Sequence, residues 1–300
     1  MHPTTAIAIL DAVARYYTLT RTMIQDLCVP GDSRDGRKTR KLLHQLVSDG
    51  LLTRNAMEVV NPAMGAPAPV YSPSRKGCEY LACEWKDDRY LHVCCLKPTW
   101  QNLYHWVQVA AFHLALDRAV TLTPEVRVDG WLSEWDIANP DEKEPHKRYR
   151  LFTLLREKPR LVANPDAGFL LRVGKHAKAY YVEIDRSTTG LQQLAHSKPA
   201  GLAEMAAQQL HKRHFPTTTL DTFSVLFITL TANRRDALCR LFADKPGADL
   251  WKFACKDDLI GAWLHAPIFH RCHGEPAPLV RPSTSVAPIT NAPSVVLTSD

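Results

Sequence analysis

The sequence has no apolar run as long as the roughly 18 residues that a membrane-spanning helix requires, so we expect no membrane segment. It also lacks a glycine-rich phosphate-binding loop, and no serine or cysteine lies in a recognisable nucleophile motif. These absences argue against membrane transporters, P-loop nucleotide hydrolases and serine or cysteine hydrolases. Because the N-terminus has no basic region followed by an apolar stretch, we expect a cytoplasmic protein.

Cysteine is present, but it lacks the paired spacing of zinc modules and of small secreted proteins. The eight cysteines include no CxxC pair, which is typical of reduced thiols in a cytosolic chain. A cluster near the C-terminal end suggests zinc but lacks the usual ligand spacings: His265, His270, Cys272 and His273. We expect these side chains to pack or form hydrogen bonds rather than to bind zinc.

The composition is that of a globular protein with enough length for one large or two ordinary domains. The 300 residues are 45% hydrophobic and 23% charged, and the net charge of +6 favours an anionic partner. We expect a first domain over residues 1–97 and a second over residues 98–273. Residues 274–300, rich in proline and without periodicity, are expected to be a disordered tail.

The first domain is predicted to contain three helices, over residues 4–17, 20–27 and 36–49, followed by two short strands. This order is typical of a winged helix-turn-helix, whose third helix enters the major groove of double-stranded DNA. The candidate DNA contacts are Arg34, Arg37, Lys38, Arg40 and Lys41 around the start of that helix, and Arg54 in the first wing strand. The alternative, a solvated basic helix face, remains open.

The second domain contains two apolar runs, 164–171 and 180–186, that predict adjacent strands. Because side chains alternate along a strand, Glu183 and Asp185 should share one face, with Asp166 on the neighbouring strand. A cluster of three carboxylates is a common way to hold Mg²⁺, so these residues are candidate magnesium ligands. The alternative is a turn at Asp166 followed by an ordinary half-buried strand.

Other polar residues of this domain are weaker candidates. Glu134 and Asp136 share a face of a predicted strand and could add a carboxylate, so we rank them second. His105 and His113 lie on a long apolar helix with no charged residue beside them in sequence, so we expect them to be packed or hydrogen-bonded. From residue 99 to residue 231 the predicted order of elements is αβββαβ.

The carboxylate pattern resembles the PD-(D/E)xK nuclease superfamily. More narrowly, Asn164-Pro165-Asp166 with the segment from Tyr181 to Thr188 resembles the replication-relaxation family of plasmids and other mobile elements. Over residues 5–255 the resemblance implies a mixed α/β (α+β) protein, in which a winged helix precedes a nuclease-like core. It further implies a Mg²⁺-dependent DNA endonuclease with Asp166, Glu183 and Asp185 at its site.

The chain departs from the family pattern at two positions. Ser187 stands where the pattern prefers glycine, and Asp185 occupies the position of the superfamily's catalytic lysine. Lys198 is the nearest candidate for a lysine that has moved to another segment. Two functions therefore stay open. The protein is either a metal-dependent nuclease of a mobile element, or an inactive adaptor that binds DNA and docks a replication, mobilisation or transposition protein.

Overall fold

A computed structural model describes residues 3–57, 67–93, 95 and 99–281 and has the mixed α+β architecture that we expected. The helices are α1 (Pro3–Tyr16), α2 (Arg21–Cys28), α3 (Arg37–Ser48), α4 (Arg75–Trp85), α5 (Trp100–Thr121), α6 (Pro145–Arg148), α7 (Leu191–Ser197), α8 (Pro199–Ala207), α9 (His211–His214) and α10 (Ala232–Phe242). The strands are β1 (Leu19–Thr20), β2 (Leu52–Asn55), β3 (Val70–Pro73), β4 (Val126–Ser133), β5 (Thr153–Arg156), β6 (Leu161–Ala163), β7 (Ala167–Val173), β8 (His176–Ile184), β9 (Ser224–Thr229), β10 (Trp251–Cys255) and β11 (His270–Arg271). Within the described part of the chain, no helix is both long and apolar enough to cross a membrane.

The N-terminal part packs α1, α2 and α3 around a small apolar core. The side chain of Thr20 caps α2 by accepting the N–H of Met23, and Leu43 and Leu46 of α3 are buried in the same cluster as residues of α1. Strands β1, β3 and β2 form an antiparallel sheet in that order. Residues 61–66 of the wing tip, which the Pro/Gly-rich sequence predicts at residues 61–69, and the expected domain boundary at residues 97–98 lie outside the described residues.

The second part is built on a six-stranded sheet with the order β11-β10-β9-β8-β7-β4. Strands β8, β9 and β10 are parallel, and the other neighbours are antiparallel. Helix α5 lies against one face, and α8 and α10 cover the other. All six residues of β9 are buried, as expected for a strand in the middle of a covered sheet. The elements follow the predicted order αβββαβ, with the β5–β6 hairpin inserted.

Helix α5 joins the two parts because its opposite sides pack against different cores. Ala110 and Leu114 belong to the cluster of α1, whereas Trp106 and Phe112 pack over the sheet. Tyr17, at the end of α1, stacks on Trp135 with 4.8 Å between ring centroids. The N-terminal part is therefore held directly against the sheet domain.

Two predictions about local structure were wrong. The sequence of residues 188–197 predicts a loop or short turn, but α7 occupies most of this segment, since Leu194 and Ala195 have an apolar core to pack into. Residues 274–281 were expected to begin a disordered tail, yet Ala277 pairs with Phe269 and Val280 is only 5% exposed within the sheet core. The rest of that expected tail, 282–300, lies outside the described residues.

Candidate functional site

The site forms where β8 ends beside the start of β7. Ala167 pairs with Val182, which places Asp166 next to the last residues of β8. The Asp166 N–H donates to Val182 O at 3.0 Å, and its Oδ2 accepts the N–H of Ile184 at 2.6 Å. Hydrogen bonds to β8 thus fix both the backbone and the carboxylate of Asp166.

Glu183 is the penultimate residue of β8 and points to the face opposite α5. The alternation predicted from the sequence is observed: Val182 packs in the core under α5, whereas Tyr181 packs in the core on the other face. On that second face Lys198, between α7 and α8, places its Nζ 2.6 Å from Glu183 Oε2. The side chain of Glu183 is only 4% exposed and that of Lys198 is 31% exposed, so the carboxylate of this ion pair is the desolvated partner.

One cavity of about 210 Å³ brings the predicted site residues together. Asp166, Glu183, Asp185 and Lys198 all line it, and Lys198 reaches it from a segment 15 residues after Glu183. The suggestion that a lysine elsewhere in the chain could serve this site therefore has a geometric basis.

Asp185 lies at the rim of the cavity but is engaged by other parts of the protein. Strand β8 ends at Ile184, and the Asp185 carboxylate accepts hydrogen bonds from Nε and Nη2 of Arg234 on α10. Its Oδ1 also accepts the N–H of Ser187 at 3.0 Å. Both oxygens thus have protein partners, and this arrangement ties the loop after β8 to α10.

Two residues that sequence reasoning undervalued lie beside Asp166. His105 Nε2 on α5 is 3.3 Å from Asp166 Oδ1 and 3.5 Å from Glu134 Oε1, just after β4. These contacts agree with the expectation that His105 is packed or hydrogen-bonded, although its carboxylate partners come from distant segments and not from its neighbours in sequence. His113 is packed as expected, stacked on Trp131 with 3.8 Å between ring centroids.

Asp136, which we ranked with Glu134, does not join this group. Its Oδ2 accepts the N–H of Ser133 at 2.9 Å, and it lines a different cavity beside Tyr17. Among the described residues, one group of three or more His, Cys, Asp or Glu could hold a metal ion: His105, Glu134 and Asp166. The histidines near the C-terminal end instead form separate contacts, such as His265 with Val280 O and Glu125.

The charged groups of the site shift one another's pKa values. Burial raises the pKa of Glu183 to about 7, even though the charge of Lys198 opposes this shift. Burial also favours the neutral form of Asp166, but the charges of His105 and Lys198 outweigh it and hold its pKa below the usual value. Burial disfavours the charged form of Lys198, yet Glu183 and Asp166 raise its pKa further. The site is therefore an acidic cluster held together by adjacent cations.

The residues present fit a divalent cation. Carboxylate oxygens and an imidazole nitrogen are suitable donors, and the candidate ligand atoms of His105, Glu134 and Asp166 lie within 4.8 Å of one another. Glu183 adds a buried oxygen, Oε1, that has no hydrogen-bond partner. A buried polar atom without a partner is uncommon and calls for an explanation such as an ion.

The six basic residues that we predicted to contact DNA lie on the surface of the N-terminal part. Arg34, Arg37, Lys38, Arg40, Lys41 and Arg54 are exposed. Thr39, Leu43 and Leu46 form the buried side of α3 and thereby turn the basic side outward. The carboxylate of Asp32 accepts the N–H groups of Lys38 and Thr39, which fixes the start of this helix.

Comparison with known proteins adds one family match. A sequence model described as replication-relaxation matches residues 10–220. No curated protein sequence matches significantly. Among solved structures, restriction endonuclease FokI is similar to this chain at 11% identity and a TM-score of 0.29, over 85% of this chain and 42% of the FokI chain. The chain thus spans less than half of that enzyme, and an agreement this loose carries no argument.

Proposed function

Because the chain belongs to the replication-relaxation family, we propose that it acts on double-stranded DNA of mobile elements during their replication or relaxation. In this proposal residues 1–97 are a winged-helix module, and residues 98–273 are a nuclease-like domain of the PD-(D/E)xK type. The exposed basic side of α3 is the surface that would meet DNA, since Lys and Arg there can contact phosphates and base edges.

The proposed activity is metal-dependent hydrolysis of a DNA phosphodiester bond. The observation that carries it is the placement of Lys198 2.6 Å from Glu183 in the cavity that Asp166 also lines. Asp166 and Glu183 would hold a divalent cation such as Mg²⁺. When bound, such a cation neutralises negative charge on the phosphate and lowers the pKa of a water molecule bound to it.

The chain's own residues have distinct roles in this proposal. Lys198 would stabilise the charge that develops on the scissile phosphate, because its ammonium group lines the cavity and is held in place by the buried Glu183. Asp185 would hold Arg234 and the loop after β8 in position and would not serve as a third ligand of the cation. This division of roles differs from the Glu-x-Lys arrangement of the superfamily, in which the lysine follows the glutamate on the same strand.

Cleavage of supercoiled and linear DNA with Mg²⁺ or Mn²⁺ tests the proposal. Glu183→Gln should abolish metal-dependent nicking while the protein still shifts DNA in a gel. Glu204→Gln on α8 is a matched control, because among the described residues the Glu204 side chain is hydrogen-bonded to Gln208, directly after α8, and its loss should not affect cleavage. Wild-type protein that binds DNA but never cuts it with either cation would contradict the nuclease.

The alternative function, an inactive adaptor, also has a specific observation in its favour. Glu183 is paired with Lys198 and Asp185 with Arg234, so two of the three predicted carboxylates are already balanced by protein cations. A site balanced in this way is stable without a metal ion. In that case the second domain would dock a replication, mobilisation or transposition protein, and DNA binding would persist unchanged in Glu183→Gln.

A further inference from the structure

His105, Glu134 and Asp166 form a cluster in which one possible ligand atom from each side chain converges on the same place. Three segments that are far apart in sequence converge here: α5, the end of β4 and the start of β7. One imidazole nitrogen and two carboxylate oxygens come within 4.8 Å of one another. The 3.3 Å and 3.5 Å separations from His105 Nε2 leave both carboxylates facing the same nitrogen.

Glu183 supplies an independent observation that points to a ligand. The residue is 3% exposed, and its Oε2 is bonded to Lys198. Its second oxygen, Oε1, is buried and has no hydrogen-bond partner. Glu183 lines the same cavity as His105 and Asp166. A buried oxygen without a partner is costly, and coordination of a cation would satisfy it.

We propose that His105, Glu134 and Asp166 bind a first-row transition-metal dication of the Mn²⁺ type, with Glu183 Oε1 as a further ligand. Mg²⁺ prefers an all-oxygen shell and keeps most of its waters, whereas imidazole is a good ligand for transition metals. Carboxylates suit Mn²⁺ as well, so a mixed set of one nitrogen and several oxygens favours it over Mg²⁺. The inference deepens the proposed nuclease site and rests on that function for its meaning, but metal binding is measurable without cleavage.

The test is titration of the metal-free full chain with Mn²⁺, followed by electron paramagnetic resonance. Wild-type protein should bind one ion, and pulsed spectra should contain the nitrogen coupling of a directly bound imidazole. His105→Gln should remove that coupling and weaken binding about tenfold or more. Glu134→Gln should weaken binding while the nitrogen coupling remains. Displacement of the bound Mn²⁺ should require a large excess of Mg²⁺.

His265→Gln is the matched control. His265 Nε2 lies 2.7 Å from Glu125, so it has the same His–carboxylate contact without further ligands, and its loss should change nothing. Thermal unfolding of each variant identifies folding defects, and the isosteric Glu134→Gln keeps the test usable if His105→Gln does not fold.

The outcomes separate this proposal from the nuclease. Nitrogen coupling that survives in His105→Gln, or equal affinity for Mg²⁺ and Mn²⁺, would overturn the proposed metal site. If Mn²⁺ binds as expected but DNA is never cut, the metal site stands and the nuclease is wrong. If DNA is cut in Mg²⁺ and His105→Gln cuts as well as wild type, the nuclease stands and the role of His105 is wrong.

Discussion

Charge is used in opposite ways in the two parts of the molecule. The N-terminal part carries basic residues exposed on α3, where they contribute little to folding. The sheet domain buries Asp166 and Glu183 and surrounds them with His105 and Lys198. A run of exposed basic residues can be predicted from a short stretch of sequence. A buried cluster of charged residues cannot, because it depends on which distant segments meet in the fold.

Two ion pairs with the same separation sharpen this comparison. Lys198–Glu183 and Lys212–Asp221 are both 2.6 Å apart, but the carboxylate side chains are 4% and 75% exposed. Lys198→Met leaves Glu183 buried without its cation, so we expect the free energy of unfolding to fall by about 3 kcal/mol. Urea denaturation of the full chain measures this loss.

Lys212→Met is the control for that measurement, since solvent screens its partner and no measurable change is expected. The double variant Lys198→Met/Glu183→Gln should recover most of the lost stability, because it removes the unpaired charge as well. Equal losses in the two single variants would contradict the claim that burial, and not the contact distance, decides the contribution of the pair.

A buried histidine of the sheet domain predicts an acid-dependent loss of stability. His214 contacts the Tyr181 hydroxyl at 2.6 Å and the Thr153 hydroxyl at 3.1 Å, and burial lowers its pKa from the usual 6.5 to about 4. As the pH falls, the imidazole of His214 is protonated in the unfolded chain at a higher pH than in the folded protein. The free energy of unfolding is therefore unaffected by His214 above pH 6.5 and decreases as the pH falls from 6.5 toward 4. We expect a loss of about 3 kcal/mol over this interval.

The measurement is the free energy of unfolding of wild type and His214→Gln from pH 4 to pH 7. The variant should show a shallower dependence on pH, because glutamine does not titrate. Exposed His176→Gln, at the start of β8, should retain the wild-type dependence. If the curves of wild type and His214→Gln are parallel, His214 is not the group responsible.

Two positions with left-handed backbone form a smaller comparison. Gly36, the N-cap of α3, has φ 66°, a conformation in which a residue with a Cβ is strained. Ser187 has φ 60°, and the family pattern prefers glycine at this position. Residues other than glycine are strained in the left-handed region of backbone conformation. Ser187→Gly should therefore raise the free energy of unfolding by about 1 kcal/mol. Ser187→Ala keeps the Cβ and should give no such gain in thermal or urea unfolding.

The sequence predicted the elements well where the signal is local. Helix α3, the alternation along β8 and the order of elements around the sheet follow from periodicity and caps that lie within each segment. The meeting of Lys198 with Glu183 was expected only from the resemblance to a nuclease family. Nothing in the local sequence of α7 and α8 requires that contact.

His105, Glu134 and Asp185 mark the limit of local reasoning. His105 and Glu134 meet because α5 crosses the sheet near the end of β4, which depends on long-range packing. Asp185 follows Glu183 by the spacing of a strand, but β8 ends at Ile184 and Arg234 binds the carboxylate. No signal in the sequence around Asp166 points to His105, because the two residues lie in distant segments.

The smallest effect on folding is expected on α3, where the effect on DNA binding should be large. Arg37 and Lys41 are exposed and four residues apart, so they share one side of the helix. Arg37→Ala/Lys41→Ala should leave urea unfolding unchanged but weaken DNA binding, with the slope of log affinity against log salt reduced by about 2. The control Lys175→Ala/Lys245→Ala removes the same charge from exposed positions in the sheet domain. An equal loss of affinity in both variants would mean that net charge, and not the basic side of α3, recruits DNA.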